Sequence, residues 1–193
     1  WGRDTTHAFE TIQAAVTEMN SRGGATSTVI KYKSDGANEL INNTGGIAYE
    51  IVPWSGGTAT ITGKFVITGQ NLTIKSFTFN AGGIEIRNTS KAMKVTSNKF
   101  NVSSNLEIKG KSDVTVSGNT FDNAYAYVHD NSGAVKITSN FFTPAAANVT
   151  INYGTYTTNF GNWYAFVEKQ TGSFEYTGNT VTGGQALMMR SSS

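Results

Sequence analysis

The chain contains no cysteine and only two prolines in 193 residues. Without cysteine there is no disulfide framework, no thiolate metal site and no cysteine nucleophile, so stability has to come from packing and backbone pairing. Charge is sparse too: fifteen basic and thirteen acidic side chains leave a formal charge of +2, and no run of like charges occurs. A nucleic-acid partner, which calls for a concentrated basic stripe, is therefore not expected. No apolar stretch reaches the roughly eighteen residues of a membrane helix, and no signal-like segment is present. The opening at Trp1 reads as that of a processed chain or an excised fragment.

What fills the chain instead is Gly, Ser, Thr and Asn, which together make up more than two fifths of it, interleaved with eleven Phe, eight Tyr and three Trp. Regular aromatics argue against disorder, and the mixture predicts many short strands separated by tight corners. One segment, residues 8–19, reads as a helix. Ile12, Ala15, Val16 and Met19 recur at three- and four-residue spacing, with Thr6 as the N-cap and Gly23-Gly24 as the stop.

From Leu72 onward the chain repeats itself. Leu72-Thr-Ile-Lys-Ser-Phe-Thr-Phe79 is followed by Met93-Lys-Val-Thr-Ser-Asn-Lys-Phe100, Val114-Thr-Val-Ser-Gly-Asn-Thr-Phe121 and Val135-Lys-Ile-Thr-Ser-Asn-Phe-Phe142. Ile74, Val95, Val116 and Ile137 are each 21 residues apart, and Phe174-Glu-Tyr-Thr-Gly-Asn-Thr-Val181 ends the series. A second strand accompanies each unit: 84–87, 106–109, 126–129, 165–168 and 187–190. Period-two alternation turns Ile86, Ile108, Val128, Val167 and Met189 one way and Arg87, Lys109, His129, Glu168 and Arg190 the other.

Each unit has an apolar side it cannot bury alone, so it must stack on its neighbours. The fold class expected is all-β: a single-stranded right-handed parallel β-helix of about seven coils, about 35 Å long, with an N-terminal capping α-helix. It forms one domain over 1–193, with first coils 28–67, regular coils 72–142, an insertion 143–163 and last coils 164–190. Asn98, Asn119, Asn140 and Asn179 should form an amide ladder, and Phe79, Phe100, Phe121 and Phe142 with Val181 an interior column. The last strand has no matching cap, which points to a further chain or a homotrimer over that end.

Ala8-Phe-Glu-Thr-Ile-Gln-Ala-Ala-Val16, Val29-Ile-Lys-Tyr-Lys-Ser-Asp-Gly36 and Ala59-Thr-Ile-Thr-Gly63 resemble the opening of pectin-lyase-like superfamily β-helices, the pectinesterase pattern in particular. The later Val-x-Val-x-Gly-Asn-x-Phe units resemble the generic coil of that superfamily, which includes polysaccharide lyases, polygalacturonases and phage tailspikes. The resemblance implies an extracellular, cell-surface or virion-surface protein that engages, and in enzyme members depolymerises, a polysaccharide. The structural members make the alternative a spike, fibre or adhesin segment without catalysis. The aspartate motifs of the enzyme families have no counterpart here, so no catalytic residue is carried across.

Candidate site residues come from the chain itself. Glu85 and Glu107 fall one coil apart on the outward side of the second strand, a separation compatible with a retaining glycosidase pair. The competing reading pairs them with Arg87 and Lys109 as exposed salt bridges. His129, beside Tyr127 and Asp130, is the candidate acid or base. The interruption of the repeat after Phe142 carries Tyr153, Tyr156, Trp163 and Tyr164, which with Tyr127 and Phe166 form the candidate carbohydrate-binding set: rings stack on sugar faces while amides and hydroxyls bond to them. The competing reading folds these rings over the body or into a subunit contact. No cofactor and no metal cluster is expected; Ca2+ is the one cation that stacked carboxylates suit.

Overall fold

The computed structural model describes residues 9–22, 28–33, 36–54, 60–88, 93–143, 149–153, 156–160, 163–183 and 185–190. The chain winds as a parallel β-solenoid of about six turns with one helix at its start. Sheet A holds β1 (Val29–Tyr32), β3 (Tyr49–Pro53), β6 (Leu72–Lys75), β9 (Met93–Thr96), β12 (Val114–Ser117), β15 (Val135–Thr138) and β20 (Phe174–Thr177). Sheet B holds β2 (Glu39–Ile41), β5 (Lys64–Ile67), β8 (Gly82–Arg87), β11 (Ser104–Gly110), β14 (Tyr125–Asn131), β19 (Trp163–Gln170) and β22 (Gln185–Arg190). Sheet C, the narrowest, holds β4 (Thr60–Ile61), β7 (Thr78–Phe79), β10 (Lys99–Phe100), β13 (Thr120–Asp122), β16 (Phe141–Thr143) and β21 (Thr180–Val181).

Each eight-residue unit seen in the sequence is thus two strands, one in sheet A and one in sheet C, divided by a sharp corner. The residue that makes the corner sits in the left-handed region: Ser76, Ser97, Gly118, Ser139 and Gly178 all have φ between 55° and 64°. At the last four of these corners the next residue is an asparagine, which locks one turn to another. Asn98, Asn119 and Asn140 are buried, and their Nδ2 groups donate to Asn119, Asn140 and Asn179 Oδ1 at 3.1, 3.0 and 3.0 Å. Those same oxygens accept the backbone N–H of Asn98, Asn119 and Asn140. Each side chain therefore satisfies corner groups that no strand can reach.

The interior is as regular. Phe79, Phe100, Phe121 and Phe142 are fully buried and stack at 5.1, 4.8 and 4.6 Å with planes within 11° of parallel. Spacing set by the strand repeat brings the rings to contact distance without further adjustment. Val181 follows Phe142 in register. Ile86, Ile108, Val128 and Val167 line the core as expected. Met189 is in register with Val167 but is 61% exposed, because it lies on an edge strand of the final turn.

The helix α1 (Ile12–Ser21) starts later than the sequence predicts. Thr11, not Thr6, is the N-cap: its Oγ1 accepts the Ala14 N–H at 3.0 Å. Ile12, Ala15 and Val16 are buried in the same core as the sheets. The helix packs on β1 and β2, the first strands of sheets A and B, so it closes that end of the solenoid. The interruption after β16 forms an antiparallel hairpin of β17 (Val149–Tyr153) and β18 (Tyr156–Phe160). It lies where the preceding turns pass from sheet C to sheet B through two or three residues.

Candidate functional site

The outward face of sheet B gathers the candidate residues in register. Glu85 pairs with Glu107, Glu107 with Tyr127, Tyr127 with Phe166 and Phe166 with Met188 along one column. The next column runs Arg87, Lys109, His129, Glu168 and Arg190. Parallel pairing at the strand spacing makes neighbouring side chains in each column touch.

Charge on this face is layered. Glu85 is 3% exposed and Glu107 18%, while Lys64, Arg87 and Lys109 above them are 34%, 44% and 31% exposed. Lys109 Nζ lies 2.6 Å from Glu85 and 2.8 Å from Glu107; Lys64 also reaches both carboxylates, and Arg87 bonds to Glu85. Burial alone would push the Glu85 carboxyl up. The bonds from Arg87, Lys109 and Lys64 outweigh that and hold it far below the usual carboxylate range. Glu107 meets the same opposition between burial and its bonds to His129 and Lys109, and ends at about 2. The two acids hold Lys109 above its ordinary value against its own burial.

His129 extends the network. Its Nε2 lies 2.9 Å from Glu107 Oε1 and its Nδ1 3.0 Å from Asp130 Oδ2. Asp130 is the residue the β11–β14 register skips, with φ 45°, and this bulge swings its carboxylate round to the imidazole. Tyr127 stacks on His129 at 4.3 Å and on Phe166 at 5.2 Å, and its hydroxyl donates to Glu168 at 3.3 Å. His129, Tyr127 and Phe166 are all under 5% exposed; Tyr127 and Phe166, with Tyr125 and Met188 against them, form a second small apolar layer outside the solenoid core.

Comparison with protein-family models, curated proteins and solved structures gives no match for this chain. The chemistry of the face therefore rests on its own residues. A retaining glycosidase needs one carboxyl that is protonated near neutral pH, and both Glu85 and Glu107 are held ionised by cations. Partly exposed ammonium and guanidinium groups held over ionised carboxylates present donors outward, an arrangement suited to oxygen-rich ligands. No group of three metal-ligating side chains occurs among the described residues.

Of the expected binding set, Tyr127 and Phe166 lie together on this face. Tyr153, Tyr156, Trp163 and Tyr164 have their backbones in β17, β18 and β19, while their side chains lie outside the described part. Sequence reasoning overlooked Lys64, Tyr125 and Asn105. Lys64 is one turn ahead of the regular repeat, and only the register Lys64–Gly83–Asn105–Tyr125 places it beside the strands that carry the acids its ammonium reaches. Asn105 Nδ2 donates to the Tyr125 hydroxyl at 3.3 Å, and burial followed by the Glu107 charge pushes that phenol up.

Proposed function

We propose that this chain is a carbohydrate-engaging β-solenoid module of a cell or virion surface, which seats a glycan along the outer face of sheet B beside the hairpin insertion and does not cleave it. The observation that carries the reading is the convergence of cationic donors and stacked rings on one face. Lys64, Arg87 and Lys109 cluster on the same outward face of sheet B that carries the Tyr127–Phe166 stack, and β19 continues from the Tyr- and Trp-rich insertion into that surface. Donors of this kind bond to sugar hydroxyls, and the rings of the insertion would cover sugar faces while the buried Tyr127–Phe166 stack supports the surface beneath. The opening that resembles pectin-lyase-like β-helices supports the same class of ligand.

The test is a glycan-array screen followed by Trp163→Ala. Affinity for the selected glycan should fall by roughly 1 to 3 kcal/mol, the scale of an aromatic anchor, while the unfolding midpoint hardly moves. No glycan bound at millimolar concentration would end the proposal. So would a Trp163→Ala variant that binds as well as the parent.

A second reading, a non-catalytic rod within a spike, fibre or adhesin, is favoured by a different observation: the Asn and Phe ladders run turn after turn without a gap. Light scattering separates the two in part, since a clean monomer disfavours the rod and a stable trimer supports it.

A further inference from the structure

One inward position of sheet B does not follow the pattern of its column. From β5 to β22 this column reads Phe65, Ile84, Leu106, Ala126, Ala165 and Leu187, all apolar. On the first strand, β2, the same position is Glu39, in register with Phe65 and 2% exposed. Its neighbour Leu40 faces out and is 63% exposed. The strand has thus turned a carboxylate into the core and a leucine into water.

The carboxylate points at the start of α1. Glu39 Oε2 accepts the N–H of Ile12, the first residue of the helix, at 3.1 Å, and Oε1 makes no hydrogen bond among the described residues. Ile12 N–H is one of the groups a helix leaves without an internal partner. Glu39 is therefore the buried tether at the start of the capping helix; farther along, Gln13 exchanges hydrogen bonds with the Asn42 backbone, and Asn20 bonds to Asn43 and Tyr49. Among the described residues, Tyr32 of β1 is the one titratable side chain facing it. From β5 it meets Phe65, and the core side of α1 is Ile12, Ala15 and Val16.

We infer that Glu39 is a proton-operated latch for the helical cap: taking up a proton tightens α1 onto the end of the solenoid, and losing it loosens the cap locally while the rungs beyond stay intact. The helix N-terminus, the Ile12 N–H and the Tyr32 hydroxyl favour the anion, but these few donors do not replace the water that a buried carboxylate gives up. Burial, the largest influence, pushes the Glu39 carboxyl up, against Tyr32 and Ile12, which pull it down. A carboxyl whose folded pKa lies above its unfolded value adds stability below the unfolded value, near pH 4.3. That contribution is lost as pH rises through the folded value. The latch therefore closes in acid and opens toward neutrality.

Hydrogen exchange on the whole chain tests this, with α1 amides compared with those of β12 and β15 after correction for intrinsic rates. Between about pH 4 and pH 8, α1 protection should fall at least severalfold relative to the strands, well outside the spread among the strand amides. Glu39→Gln keeps an acceptor for Ile12 and cannot ionise, so its α1 protection should change less than twofold and exceed the parent's at pH 8. Thr11→Ala weakens the same helix end without a titrating group and should lower protection equally at both pH values. A Glu39→Gln variant that retains the pH dependence, or a parent whose α1 protection does not fall with rising pH, would overturn the latch. Glycan binding on sheet B is not involved, so this outcome is independent of the function proposed above.

Discussion

Replacing Asn119 by alanine removes the middle of the amide ladder. Its Oδ1 accepts the Asn98 backbone N–H at 2.9 Å and Asn98 Nδ2 at 3.1 Å. Its Nδ2 donates to the Val95 carbonyl at 2.8 Å and to Asn140 Oδ1 at 3.0 Å. After truncation Asn98 Nδ2 keeps the Ile74 carbonyl, and Asn140 Oδ1 keeps the Asn119 N–H. The Asn98 N–H is orphaned and the Val95 carbonyl loses a donor, both in the interior. At about 1 to 3 kcal/mol for each buried group stripped of a partner, the variant should lose about 3 to 5 kcal/mol. Asn179→Ala takes partners from Asn140 and from the Ile137 carbonyl, but at a half-buried end of the ladder where water can replace them, and should cost about 1 to 2 kcal/mol. Urea unfolding with an unchanged slope measures both. Equal losses at the two positions, or less than about 1 kcal/mol at Asn119, would refute the claim that the ladder satisfies buried corner groups.

Two further expectations concern the corners and the acid network. Gly118 has φ 63°, and a Cβ added there would meet nothing nearer than Ser97 Oγ at 3.9 Å, so Gly118→Ala should cost about 1 to 2 kcal/mol from backbone strain alone; Ser139→Gly at the equivalent corner should be neutral or stabilising by thermal melting. Glu107, held at about 2 against an unfolded value near 4.3, contributes stability that is fully present above the unfolded value and disappears as pH falls toward 2. Glu107→Gln should therefore flatten the acid limb of the stability profile in urea titrations, and an unaltered limb would show that its ion pairs do not matter to folding.

The sequence made the repeat legible because a stacked fold demands the same residue at the same place each turn. Ile74, Val95, Val116 and Ile137 announce the rung, and Asn98, Asn119 and Asn140 announce the corner. The break between sheets A and C was not legible, since serine at Ser76, Ser97 and Ser139 does not advertise a left-handed backbone as glycine does. Glu39 and Leu40 would be assigned to the wrong sides by hydrophobicity. Only the contact with Ile12 at the helix start explains why the acid faces inward. The same contact explains the late start of α1, because several threonines in that stretch qualify as caps and the tertiary acceptor selects among them. The site showed its columns in the sequence, but not its layering. That Lys64 joins from an earlier turn, and that Tyr127 and His129 are buried, follow from pairings between distant strands.

Asn140 and Asn179 are neighbours in the ladder although 39 residues separate them in the chain. The hairpin between them leaves the solenoid at the passage from sheet C to sheet B and returns without shifting the rungs on either side. That passage works as a splice junction: what enters there is read out on the surface next to sheet B, while the pairing that holds the rod together continues from turn to turn. The equivalent passages at 80–81, 101–103 and 123–124 open onto the same face. The architecture thereby separates the part of the sequence that must repeat from the part that is free to diversify, and it places every such insertion where it adjoins one continuous surface.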